Sequence, residues 1–158
     1  MKNLNIFVLV VAIAFLAVSC TTISPSEVKG VTKVVEVPGV SKDDLFVRAS
    51  TWMVDMFNSA KNVIQFSDKD AGVIKGKYII TFPQFLATGE CEATITIECK
   101  DGKCRIVVDD PYGFRVDDVY SNRIENLTQE GFDKISTSIR GLCDKFEKYI
   151  TINPDVSW

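Results

Sequence analysis

Histidine is missing from all 158 residues, and with it goes the side chain that most often serves as general base or metal ligand near neutral pH. Serine–histidine and cysteine–histidine catalysis are therefore excluded. An excess of positive charge is missing too. Eighteen lysines and arginines stand against 21 aspartates and glutamates, so nothing draws the chain to a polyanion, and nucleic acid is not an expected partner. No segment repeats, no stretch is of low complexity, and no cysteine pair has the tight Cys-x-x-Cys spacing of a zinc site. The spaced Asp-x-Asp-x-Asp-Gly loop of a calcium site is also absent. The sequence calls for no metal and no cofactor.

One long apolar run is present, and it comes first. MKNLNIFVLVVAIAFLAVSC carries Lys2, then an unbroken apolar stretch from Ile6 to Val18, then Ser19 and Cys20. The stretch falls short of the roughly 20 residues of a comfortable spanning helix and reads as an export signal over 1–19. A cysteine directly after Leu-Ala-Val-Ser resembles a bacterial lipobox, with Ala17 where leucine is commoner. On that reading Cys20 is the mature first residue and the lipid attachment site; the alternative is an ordinary signal with a chance cysteine. Residues 20–30, rich in small and polar groups, then form a tether. The expected address is the cell envelope, lipid-anchored and facing the periplasm, with the membrane as first partner. Without Lys2 of the leader, 17 basic residues face 21 acidic ones, a chain of single-domain size.

Four further cysteines remain: Cys91, Cys99, Cys104 and Cys143. In CKDGKC, Asp101-Gly102 is a strong two-residue hairpin turn. Lys100 then faces Lys103, and Cys99 faces Cys104 at a non-hydrogen-bonded position, where alpha carbons lie about 4.5 Å apart. Such a pair suits a disulfide in an oxidising compartment; two free thiols serving as small buried hydrophobes are the alternative.

Along the mature chain, VTKVVEVP (31–38) reads as a strand. Ser41 and Asp44 form a capping box, with Val40 positioned to staple onto Leu45. Leu45, Ala49, Trp52, Met53, Met56 and Ala60 follow at helical spacing. NVIQF is a short strand, and in VIKGKYIITF the residues Ile74, Tyr78, Ile80 and Phe82 share a face until Pro83 stops the strand. PQFLATGE reads as a loop carrying Phe85 and Leu86. Cys91, Ala93, Ile95, Ile97 and Cys99 alternate with polar residues as a half-buried antiparallel strand, answered by CRIVVDD. Residues 111–127 look irregular. A second helix runs from Thr128 to Ile150, with Phe132, Ile135, Ile139, Leu142, Phe146 and Tyr149 on one face. Residues 151–158 read as a tail.

The order β-α-β-β-β-β-α predicts an α+β domain over 31–150: two layers, a curved antiparallel sheet of about five strands with both helices on one face. VVEVPGVSKDDLFVRASTWMVDMFNSAKNVIQFSDKDAGVIKGKY resembles the opening of a domain family of unknown function with a TATA-box-binding-protein-like fold, common in predicted lipoproteins of Bacteroidetes. The resemblance is carried by the strand with PGVSKDDLF, the Trp52 helix and SDKDAGVIKGK. It implies the same fold and transfers no catalytic motif, and the fold name does not imply DNA binding.

As an enzyme the chain would have to rely on carboxylates, Asp109, Asp110, Asp117 and Asp118, aided by Tyr112 or Tyr120; solvated turn acids explain them as well, and no enzyme is expected. A binding module is the preferred reading. Its ligand would enter a pocket lined by Trp52, Phe82 and Phe146, unless those side chains simply fill the core. Alternatively an envelope protein would meet Phe85, Leu86, Tyr112 and Phe114, since loops carry binding residues disproportionately. A purely structural envelope role stands beside both.

Overall fold

Strict alternation along one long strand organises the domain. The computed structural model describes residues 28–57, 64–116, 119–121 and 127–152. Cys20, the leader, the tether to residue 27, Ala60, Asp117, Asp118 and the tail from residue 153 lie outside them. The elements are β1 (Val31–Glu36), α1 (Lys42–Phe57), β2 (Ile64–Asp68), β3 (Val73–Gln84), β4 (Ala87–Lys100), β5 (Lys103–Val108), β6 (Tyr112–Val116), β7 (Val119–Ser121) and α2 (Gln129–Thr151). Among the described residues the sheet runs β2-β3-β4-β5-β1, and β6, with β7 beyond it, shares with β5 the second edge of β4. All its pairings are antiparallel. The chain is thus α+β in two layers, as its pattern predicts.

On β4 the residues Cys91, Ala93, Ile95, Ile97 and Cys99 are buried while Glu92, Thr94, Thr96 and Glu98 are not, so one sheet face is core. Against it α1 lays Leu45, Phe46, Ala49, Trp52 and Met53, and α2 lays Ile135, Ile139, Leu142, Cys143, Phe146 and Ile150. The helices run antiparallel: Trp52 meets Phe146 edge to face at 5.0 Å, and Arg48 Nη1 donates to the carbonyl of Ile150 at 3.5 Å. Val28 is buried too, so packing starts just before β1. Lys33 lies on the core face of β1 yet reaches past the sheet edge, donating to Asp144 at 2.7 Å and pairing with Glu147 at 2.5 Å. A charge pointing inward from an edge strand also discourages pairing with another chain.

Each helix begins where a hairpin ends. At the β4–β5 turn, Gly102 (φ 75°) accepts from Val37 N at 2.7 Å and donates to Val40 O at 2.9 Å, while Asp101 Oδ1 accepts from Lys42 N at 2.7 Å. Ser41 Oγ accepts from Asp44 N at 3.1 Å, the serine half of the expected capping box, and donates to the Asp44 carboxylate at 2.8 Å, which takes the hydroxyl in place of a backbone N–H. At the opposite end of the sheet, the β3–β4 hairpin holds the start of α2. Gln84 Oε1 accepts from Thr128 N at 3.2 Å, and Thr128 Oγ accepts from Gly131 N at 3.1 Å as the N-cap.

Three expectations need correction. Pro83 does not stop β3, because among the described residues β2 pairs with β3 only as far as Gly76 and no strand pairs with the outer edge at Pro83, where a missing N–H costs nothing. PQFLATGE is not a loop: β3 and β4 continue to Gln84 and Ala87, which face each other across a two-residue turn, Phe85-Leu86. Residues 112–116 and 119–121 are not irregular either, since they supply β6 and β7.

Candidate functional site: the open face of the sheet

The sheet face turned away from the helices carries no covering element among the described residues. Cross-strand register sets its surface. Lys77 stands opposite Thr94 and Ile79 opposite Glu92 on β3 and β4, while Tyr112 of β6 faces Glu92 from the other side. Lys77 Nζ donates to Glu92 Oε2 at 2.6 Å, and this contact, with further help from the field of Tyr112 and Tyr120, holds the lysine above its ordinary pKa. Tyr112 Oη and Thr94 Oγ share a hydrogen bond at 3.4 Å. Toward the β4–β5 turn, Arg105 Nε donates to Glu98 Oε2 at 2.9 Å, and its Nη2 meets the same oxygen. Val34, Glu98, Lys100, Lys103 and Arg105 border a shallow hollow of about 220 Å³.

A bulge gives Tyr112 to this face. Glu90 pairs with Arg115 and Glu92 with Tyr112, so Gly113 and Phe114 together oppose one residue, Cys91. Gly113 takes φ 60°, as the first residue of a glycine bulge does. A regular strand would put Tyr112 and Phe114 on one face. With the extra residue Tyr112 stays on the open face and Phe114 turns into the core, fully buried and edge to face with Phe82 at 6.2 Å. A side chain on Gly113 would crowd the Tyr120 hydroxyl at 3.2 Å, which keeps both tyrosines by the bulge.

The expected contact surface is therefore divided. Phe114 is core; Tyr112 lies on the open face; Phe85 and Leu86 project from the β3–β4 turn, with Leu86 fully exposed. The expected pocket is not a cavity: Trp52, Phe82 and Phe146 are buried, the Trp52 ring packing against Phe146 and Phe57 and the Phe82 ring lying over Gly89, where even a methyl group would approach it to 2.5 Å. Interlocked rings occupy the space a ligand would need. A groove of about 400 Å³ does occur on the helical side, between Val47, Arg48, Thr51, Tyr149 and Ile152. Of the carboxylates, Asp110 accepts from Gly30 N at 2.7 Å and so fixes the strand ends; Asp109 is exposed nearby, and Asp117 and Asp118 lie outside the described residues. Among those residues no cluster of cysteine, aspartate and glutamate is arranged to hold a metal.

Cys99 and Cys104 do face each other. Cys99 N donates to Gly72 O on the β3 side, which makes the pair non-hydrogen-bonded toward β5 as expected. The disulfide is not formed: the Sγ atoms lie 3.3 Å apart, Cys104 donating to Cys99, well beyond the roughly 2.05 Å of a bond. As thiols they fill core space like small hydrophobes. The S–H donated to Cys99, with burial, pushes Cys104 well up, and burial pushes Cys91 up to about 12. The folded domain should be inert to a thiol reagent, and unfolding it without reductant should release the four thiols of Cys91, Cys99, Cys104 and Cys143. Release of two would show that Cys99 and Cys104 had been joined.

A sheet bare on one side and covered by two helices on the other defines the TBP-like class. Within it the protein belongs to the family described as a domain of unknown function (DUF4468) with TBP-like fold, which matches residues 32–112. A TBP-like protein from Parabacteroides distasonis has a similar crystal structure, with TM-score 0.62 and 13% identity, the match covering 77% of this chain and 91% of that one. A DUF4468 family protein from Bacteroides ovatus aligns with TM-score 0.49 and 21% identity over 78% of this chain and 79% of that one. No curated protein matches the sequence significantly.

Proposed function

We propose that the chain is a lipid-anchored envelope protein, attached through Cys20 and facing the periplasm, whose domain binds a partner on its open sheet face without catalysis. The observation that carries the binding reading is the cluster of Lys77, Glu92, Thr94 and Tyr112, which the register and the Gly113 bulge bring together on an uncovered surface. Tyrosine offers a large, rigid contact with one polar end, a feature of recognition surfaces. Opposite charges set side by side suit a polar partner, whether an envelope protein or a small ligand; nucleic acid would require a basic face. A catalytic reading finds less support, because the partly exposed lysine and glutamate neutralise each other and the hydroxyls beside them, those of Thr94 and Tyr112, are engaged with one another.

A photo-crosslinking residue at Thr96, in the middle of the open face, tests this in cells, with Thr137 on the exposed side of α2 as control. Adducts are expected from position 96 and should weaken when Tyr112→Ala is added. Equal labelling from both positions, or none from position 96, would count against the face. Anchoring is tested separately: Cys20→Ala should move the protein from the membrane fraction to the soluble one, and continued attachment would count against lipidation at Cys20.

A further inference from the structure

We propose that the β3–β4 turn, Phe85-Leu86, is a membrane contact, a two-residue apolar wedge that dips into the bilayer to which the chain is tethered. The inference rests on the lipid-anchored reading above. Phe85 is 70% exposed and Leu86 wholly so, at the tip of a hairpin over which no helix or strand lies among the described residues. Phe85 also holds φ 49°, in a region where bulky L residues are strained and where two-residue hairpin turns favour glycine or asparagine. Neither the turn nor the core asks for these side chains. Strain retained at an exposed site points to a use outside the fold.

Topology says what the tip meets. β1 is antiparallel to β5 and β5 to β4, so β1 and β4 run the same way and both begin at the Phe85-Leu86 end of the sheet. The chain therefore enters β1 from that end. Val31 is level with Val108 and Val108 with Ile95, which puts the tip about 27 Å beyond the start of β1, at about 3.4 Å per residue from Ile95 to Ala87. The tether from Cys20 to Val28 spans up to about 28 Å when extended. A lipid on Cys20 and the side chains at the tip can thus lie in one plane. The far hairpin has the opposite character, Lys100-Asp101-Gly102-Lys103, and points away from that plane.

The tip is also held rigidly. Gln84 and Pro83 grip Thr128 at the start of α2, so Phe85 and Leu86 cannot fold back onto the core. The first turn of α2 carries Glu130 and no basic residue, so the contact is apolar, and a zwitterionic bilayer is the right probe.

The test uses the full-length lipidated chain carrying Leu86→Trp, reconstituted into dioleoylphosphatidylcholine vesicles with or without bromine on the acyl chains. Lys103→Trp is the control at the far tip, and the unsubstituted chain gives the background from Trp52 and Trp158. Bromine should quench the emission added at position 86, with a blue shift, and leave that at position 103 unchanged. Vesicles that float with the protein while position 86 is unquenched, or with both positions quenched alike, would overturn the wedge and leave the anchor standing. A lipid-dependent contact predicts the same quenching at low and high salt; loss of quenching in high salt would also overturn it. Failure of the unsubstituted chain to float would overturn the anchor, and with it this inference.

Discussion

Truncating Trp52 to alanine is expected to lower the unfolding free energy by about 3–5 kcal/mol, a large share of the roughly 5–15 kcal/mol that holds a domain folded. The indole is buried where α1, α2 and the sheet meet, with Phe146 at 5.0 Å and Phe57 at 6.1 Å. Removing it takes away apolar burial and edge-to-face contacts together, and both helices would have to move to refill the gap. Urea unfolding should show a much lower midpoint with nearly the same slope. Val47→Ala on the outer side of the same helix, where Val47 is exposed, should change stability by no more than about 0.5 kcal/mol. Equal effects from the two would mean that Trp52 is not the keystone of the helix–sheet contact.

The second large effect is alkaline. Burial raises the Cys91 thiol from 9.0 to about 12 in the folded protein, so the unfolded chain gives up this proton first. Between those values the unfolded state binds fewer protons, and stability therefore falls as pH rises. The stabilisation is complete below pH 9 and is lost on the way to pH 12, a span worth about 4 kcal/mol. Burial of Tyr78 and of Cys143 acts in the same direction, while Lys33 and Lys77, both on the surface, add little once solvent screens them. Urea midpoints measured from pH 8 to pH 11 should hold to about pH 9 and then fall steadily, and Cys91→Ala should flatten the fall even though it costs stability at pH 8. An unchanged slope in the variant would assign the alkaline loss to other groups.

Much of this fold is written in short-range pattern. The alternation of β4, the Ser41 cap, the Asp101-Gly102 turn and the helical spacing of Ile135, Ile139, Leu142 and Phe146 each act within a few residues, and each forms as expected. The β3–β4 turn was hidden because Phe-Leu carries no turn chemistry and Pro83 reads locally as a strand end. Whether a proline is tolerated depends on what pairs with its edge of the strand, which is a tertiary fact. Strands β6 and β7 were hidden by their length and by the bulge. Gly113 was the available signal: a glycine between two aromatics marks a place where the alternation can slip, and the slip separates Tyr112 from Phe114. The open-face cluster depends on register between β3, β4 and β6. The outward residues of β4 were legible as polar, whereas the meeting of Lys77 with Glu92 required knowing which strands are neighbours.

Because the hairpins carry the helix caps, architecture and exposure fall on different residues of the same turn. Pro83 and Gln84 are committed to Thr128, and Asp101 and Gly102 to the start of α1. Phe85 and Leu86 take no part in that commitment, so the molecule can alter what it shows at one end without renegotiating how its two layers are joined. Residues 85 and 86 are where this fold can change its surroundings while remaining itself.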